Sequence, residues 1–177
     1  MFSDITPKTL SVFFDRSPIP LTLASPIFDD CPVIMCNEPF LKLTGYTRDE
    51  VIGRNCRFLQ GRDTEPQARA KLRAAVEGKS EALVPITNYR KNGSAFENYV
   101  FVLPIFDAAG TLLYMLGSQC DITASRNLLT PMEHAQLFEE GIELTNTMLA
   151  SEDDMRILKR NQLSNAVRTV LTGEIFD

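Results

Sequence analysis

Several things are missing from this 177-residue chain, and each absence closes a class of function. No apolar run approaches the ~18 residues that a membrane span needs, and Met1 to Pro20 carries Asp4 and Asp15 where a secretory leader has a basic start and an apolar block. A cytoplasmic location is the expectation. There is no basic run, and the net charge of −5 argues against a nucleic-acid partner held through phosphates, since that mode needs a positive stripe to displace counterions. Histidine occurs once, at His134, and the four cysteines Cys31, Cys36, Cys56 and Cys120 show no C-x-x-C spacing, so a zinc site is not expected. Disulfides do not suit a reducing compartment. There is no internal repeat, no low-complexity segment and no nicotinamide fingerprint.

What is present is an ordinary globular composition, 44% hydrophobic and 23% charged, divided by pattern near residues 18 and 124. Residues 1–18 read as a short helix, capped by Thr6 with Pro7 at its first position, apolar at Leu10, Val12, Phe13 and Phe14, and stopped by Pro18. Residues 19–123 alternate short strands and helices. PLTLAS and VIMCN read as strands, 38–43 and 48–52 as short helices, and Thr64 with Gln67 as a capping box opening a longer helix that ends at Gly78. Three further strands are expected at 82–91, 94–106 and 112–121, with Asn92-Gly93 as a tight hairpin and 107–110 as a looser turn. Strands at both ends and helices between them imply an α+β domain, a five-stranded antiparallel sheet with helices on one face. Residues 124–177 read as a helical hairpin. Thr130 to Glu133 caps its first helix, with Ala135, Phe138, Ile142, Thr145 and Leu149 on one stripe, and Ser151 to Asp154 starts its second. Those stripes need cover from the sheet, from the amino-terminal helix or from a second copy of the chain.

The stretch GRNCRFLQG, residues 53–61, sets a thiol between an amide and a guanidinium and beside an aromatic ring, a combination that packing alone does not need. Arg57 and Arg73 can form an anion fork suited to phosphate, because each donates paired hydrogen bonds and cannot lose its charge. The plainer reading of Arg73 is an ion pair on a solvated helix face. Asn88, Asn98 and Gln119 lie on successive strands at positions that can share one face. Amides there suit a heterocycle edge that donates and accepts, or else they point outward to water. With Leu59, Leu72, Val102 and Met115 as apolar walls, the set describes a niche for flavin mononucleotide (FMN).

Residues 19–123 closely resemble the LOV (light, oxygen, voltage) branch of the PAS domain family. The likeness is carried by GRNCRFLQ at 53–60, NYRKNG at 88–93, Phe96-Glu97-Asn98, and Gln119 to Thr123 in order and spacing. It implies that Cys56 is the photoactive thiol, adding reversibly to flavin carbon C4a in blue light. Asn55 and Gln60 would hold the ribityl chain, Arg57 and Arg73 the phosphate, and Asn88, Asn98 and Gln119 the polar edge of the ring. Gln119 would turn its amide when flavin N5 gains a proton, and so carry the signal into the terminal helices. The lack of an insertion between Gln60 and Thr64 favours FMN over FAD. Glu50 and Lys91 match a surface ion pair. Cys36 and Cys120 read as buried hydrophobes.

Three positions depart from the family: Cys31 for asparagine, Arg62 for proline, and Glu97 for an aromatic. Cys31 would alter solvent access at the flavin and hence the dark recovery rate, and Glu97 would make the outer sheet face more polar, which argues against an output helix docked there as in plant relatives. The expected function is a short blue-light receptor, not an enzyme, with terminal helices as effector. Phe13, Phe14 and the hairpin stripes suggest a homodimer that light loosens, acting on an unidentified downstream partner, without nucleic acid or membrane. The expectation of no kinase or cyclase domain rests on the short segment after Thr123, in which acids outnumber bases, a balance that does not suit DNA reading either. Two rivals remain: a phosphoacceptor module using His134 as a surface histidine, and a light-independent flavoprotein enzyme cycling Cys56.

Overall fold

The computed structural model describes residues 8–107, 109–123, 131–149 and 155–157. In chain order it holds α1 (Lys8–Arg16), β1 (Leu21–Ala24), β2 (Val33–Cys36), α2 (Glu38–Thr44), α3 (Arg48–Val51), a 3-10 turn (Cys56–Leu59), α4 (Pro66–Glu77), β3 (Ala82–Tyr89), β4 (Ala95–Asp107), β5 (Leu112–Asp121), α5 (Pro131–Leu149) and β6 (Met155–Ile157). The sheet runs β2-β1-β5-β4-β3, and each neighbouring pair is antiparallel. None of the described helices is long and apolar enough to cross a membrane.

Strand alternation gives the sheet two dissimilar faces. On β4 and β5, Phe101, Leu103, Ile105, Tyr114 and Leu116 join Leu21 and Leu23 of β1 in a core that Leu10 and Phe14 of α1 and Phe138 and Ile142 of α5 cover. Asn98, Val102, Met115 and Gln119 alternate with them and line a cavity on the other face, as do Thr22 on β1 and Leu72 on α4. Helices therefore lie on both faces. The doubt raised by Glu97 is overturned: α5 docks on the outer face around Phe101, while Glu97 stays exposed near the start of β4 and accepts from the Thr87 hydroxyl at 3.2 Å.

Asn37 shows how local chemistry fixes an element. Its buried side-chain oxygen accepts from Phe40 N at 3.1 Å, capping α2, and from Leu21 N at 2.9 Å, while its amide donates to Ile19 O at 2.7 Å. One residue thus closes a helix and holds the start of β1.

Four expectations about elements are corrected. Thr64 and Gln67 do not cap α4: Pro66 occupies its first turn, Thr64 Oγ1 donates to Thr87 O, and Glu65 is the cap residue, its carboxylate accepting from Thr87 N. The turn at Asn92-Gly93 is wider than a two-residue hairpin. Arg90 N reaches Ser94 O, only Gly93 is left-handed (φ 84°), and Asn92 Oδ1 accepts from Ser94 N, as in a type I turn closed by a left-handed residue. The second hairpin helix, expected from Ser151, is contradicted at 155–157, which form β6; the rest of it, like the caps at Thr6 and Thr130, lies outside the described residues. β6 pairs with Ile105–Asp107, where β3 has already ended at Val102, and so prolongs the same edge of β4. Finally, Phe13 and Phe14 are no surplus: Phe14 is buried, and the Phe13 ring packs on α5 at Gly141.

Candidate functional site

The 3-10 turn places the thiol. Asn55 caps it by accepting from Arg57 N at 3.0 Å, and its amide donates to Asp30 O at 2.5 Å, tying the turn to the β1–β2 loop. Cys56 then faces a cavity of about 740 Å3 beneath the sheet, large enough for a substantial organic cofactor. Asn55, Cys56, Arg57, Leu59, Gln60, Leu72, Arg73, Asn88, Asn98, Val102, Met115 and Gln119 all line it.

The polar side is built for a guest. Asn98 donates to Asn88 Oδ1 at 2.9 Å, Asn88 donates to Thr87 O at 3.2 Å, and Gln119 donates to Thr22 Oγ1 at 3.4 Å. These bonds use the amide nitrogens. Asn98 Oδ1 and Gln119 Oε1 are buried with no partner within the chain. An unpaired buried acceptor costs about 1–3 kcal/mol, so two of them lining one cavity fit a ligand that brings N–H donors. An oxidised flavin ring brings one such donor, N3–H, and gains a second when N5 takes up a proton, so the residues present fit its polar edge, with one of the two oxygens matched at rest and the other only after N5 is protonated.

The cationic mouth differs from expectation. Arg57 pairs with Asp30 at 2.5 Å, both well exposed, so it reaches any anion as half of a pair. Arg73 has no ion-pair partner among the described residues, and neither does Arg69, one turn earlier on α4 and also lining the cavity. Arg69 was missed, although its spacing of four from Arg73 puts both on one helix face.

Thr22 was missed too. Its hydroxyl lies 4.0 Å from Cys56 Sγ and accepts from Gln119, and across the strand pair it faces Gly117, where a Cβ would stand 2.6 Å from the hydroxyl oxygen. Cys56 is half-buried on the wall of the cavity. Desolvation pushes the thiol up to about 12, against a smaller lowering by the Thr22 hydrogen bond. It is therefore a neutral S–H at any ordinary pH. Cys31 also lines the cavity, at φ 47°, a backbone region that asparagine tolerates better. Cys36 and Cys120 are buried.

Around the site, Lys91 meets Glu50 at 2.6 Å as expected, and hydrogen bonds from Lys91, then Thr47, hold the Glu50 carboxyl down to about 2. At the exit of β5, Arg90 binds Asp121 at 2.5 Å and Leu43 O at 2.8 Å, joining the last strand to α2. His134 corrects the reading of a surface histidine. It is 2% exposed, its Nε2 is 2.6 Å from Ser118 Oγ, and its ring stacks on Phe101 with centroids 6.0 Å apart. Burial lowers its pKa to about 4. A ring enclosed in this way cannot meet a kinase, and the phosphoacceptor reading falls with it.

A PAS domain profile matches residues 20–124. A blue-light-activated histidine kinase of Rhizobium johnstonii is 38% identical over 149 residues, 83% of this chain and 43% of that protein. A second such kinase, from Erythrobacter litoralis, is 50% identical over 103 residues, 58% of this chain and 29% of the kinase. The chain thus spans less than half of these relatives. The crystal structure of a Rhodobacter sphaeroides LOV protein superposes with a TM-score of 0.76 at 32% identity, covering 95% of this chain and 96% of that one. The fold and site define a sensory domain of the PAS class. Within it, the chain belongs to the LOV branch of blue-light photoreceptors.

Proposed function

We propose that this chain senses blue light through bound FMN, with Cys56 as the reacting thiol and Gln119 as the amide that passes the change to the sheet. The observation that carries the reading is the pair of partnerless amide oxygens, Asn98 Oδ1 and Gln119 Oε1, in a cavity that also holds a neutral thiol. When bound, the flavin would supply the excited state, the carbon that Cys56 Sγ would add to and the nitrogen that would take the thiol proton, so the addition would need no outside oxidant. The chain's part is to hold the thiol protonated, orient it and exclude water. Asn88, Asn98 and Gln119 hold the ring edge, Asn55 and Gln60 the side chain, and Arg73 with Arg69 and Arg57 the phosphate. A thiol held near pKa 12 is a poor dark nucleophile, which disfavours a redox enzyme cycling Cys56.

The output we propose runs from Gln119 through β5 to α5 and α1, which pack as a pair on the outer face, and on to a homodimer contact or a signalling partner. The test is the visible spectrum of purified protein in darkness, after blue illumination and during recovery, beside Cys56→Ser. A structured blue band should bleach and return in the parent and stay unchanged in the variant. Flavin that does not bleach in the parent overturns the adduct; no flavin at all overturns the pocket.

A further inference from the structure

Thr22 sits where an apolar wall would suffice. It is 4% exposed, on β1 between Leu21 and Leu23, which turn to the opposite face. A hydroxyl in such a wall costs free energy unless it is hydrogen-bonded. Here it is bonded twice by side chains: the Cys56 thiol donates to Oγ1 at 4.0 Å, and the Gln119 amide donates to the same oxygen at 3.4 Å. A hydroxyl has two lone pairs, so one oxygen can take both donors. The space for it comes from the partner strand, because any side chain at Gly117 would strike it.

We infer that Thr22 is a positioning residue that holds the Cys56 thiol and the Gln119 amide through one hydroxyl, linking the reacting sulfur to the signalling amide within the protein. This rests on Cys56 being the reacting thiol. The link has a direction. While sulfur carries its proton, Oγ1 is shared by two donors. Once the sulfur is bonded to carbon and its proton has left for the flavin nitrogen, Gln119 is the donor that remains. The amide therefore senses the thiol's state along β1 and β5 as well as through the ring. On reversal the carbon–sulfur bond breaks, the proton returns to sulfur, and the S–H again finds its acceptor; that contact favours the dark state over the adduct.

The experiment compares the parent with Thr22→Val, which keeps shape and loses the hydroxyl, and with Thr22→Ser, which keeps the hydroxyl. The first readout is the infrared S–H stretch of Cys56 in dark protein, assigned by its loss in Cys56→Ser. The parent band should lie at the lower wavenumber of a hydrogen-bonded thiol, rise in Thr22→Val and stay down in Thr22→Ser. The second is dark recovery, which should slow about fivefold in Thr22→Val, the rate equivalent of one ordinary hydrogen bond, and stay near the parent in Thr22→Ser. A parent band at the free-thiol position overturns the inference even if Thr22→Val does not fold. So does equal recovery in parent and Thr22→Val, or a Thr22→Ser variant that behaves like Thr22→Val. A parent that never bleaches sinks the photochemical reading instead, and leaves the S–H band to judge Thr22.

Discussion

At the scale of the residue, His134 makes the sharpest claim. Its folded pKa near 4 lies below the ordinary 6.5, so the unfolded chain takes up a proton first as pH falls. Its contribution to stability is complete above about 6.5 and is lost on the way down to about 4. The shift corresponds to at most about 3 kcal/mol. Denaturant midpoints of the parent should fall through that window, and those of His134→Leu should fall less; parallel curves would refute the claim. The burial of the histidine was read wrongly although the pattern carried it, since 134, 138 and 142 step by four along the stripe that includes Phe138 and Ile142. Thr22 was likewise legible but missed, as a polar residue alternating with Leu21 and Leu23 in a strand. The pairing of Arg57 with Asp30 was not legible, because only the tertiary course of the β1–β2 loop brings these residues together.

At the scale of the element, α1 and α5 act as one cover. Burying Phe14, Phe138 and Ile142 is worth roughly 1.5–3 kcal/mol each, comparable with the loss on protonating His134, so acid should weaken the cover before the core beneath it. Gly141 permits the close approach, since a Cβ there would stand 2.2 Å from the Phe13 ring. Gly141→Ala gains up to about 1 kcal/mol of helix propensity and incurs about 1–3 kcal/mol of overpacking. Net destabilisation is expected, with faster hydrogen exchange in α1 and little change in β4 and β5; uniform slowing would show that the ring moves aside. The strand at 155–157 was hidden from the sequence, because Met155 and Leu158 fit a helical stripe as well, and only the unpaired end of β4 selects the extended form.

At the scale of the molecule, the lining of the cavity was legible because its residue types are unusual for a strand face or a tight turn, whereas the layer order was not. Apolar stripes announce that a face is covered without saying by what. Phe13 and Phe14 pointed to a second copy of the chain, yet this chain covers them itself. Homodimerisation through the terminal helices, loosened by light, then requires that α1 and α5 shift when the hydrogen bonding of Gln119 changes. Light-scattering masses in dark and lit samples should differ, with the lit value lower, and should coincide in Cys56→Ser; equal masses in the parent would rule this output out.

Because the chain carries one imidazole, and it sits on α5 against β5, its Hε1 proton gives the one histidine signal of that kind in a proton spectrum. That signal is a label-free gauge of helix docking. A seated ring beside Phe101 feels that ring's magnetic field, and a released one resonates where free histidine does, so peak areas under illumination would give the docking equilibrium constant directly.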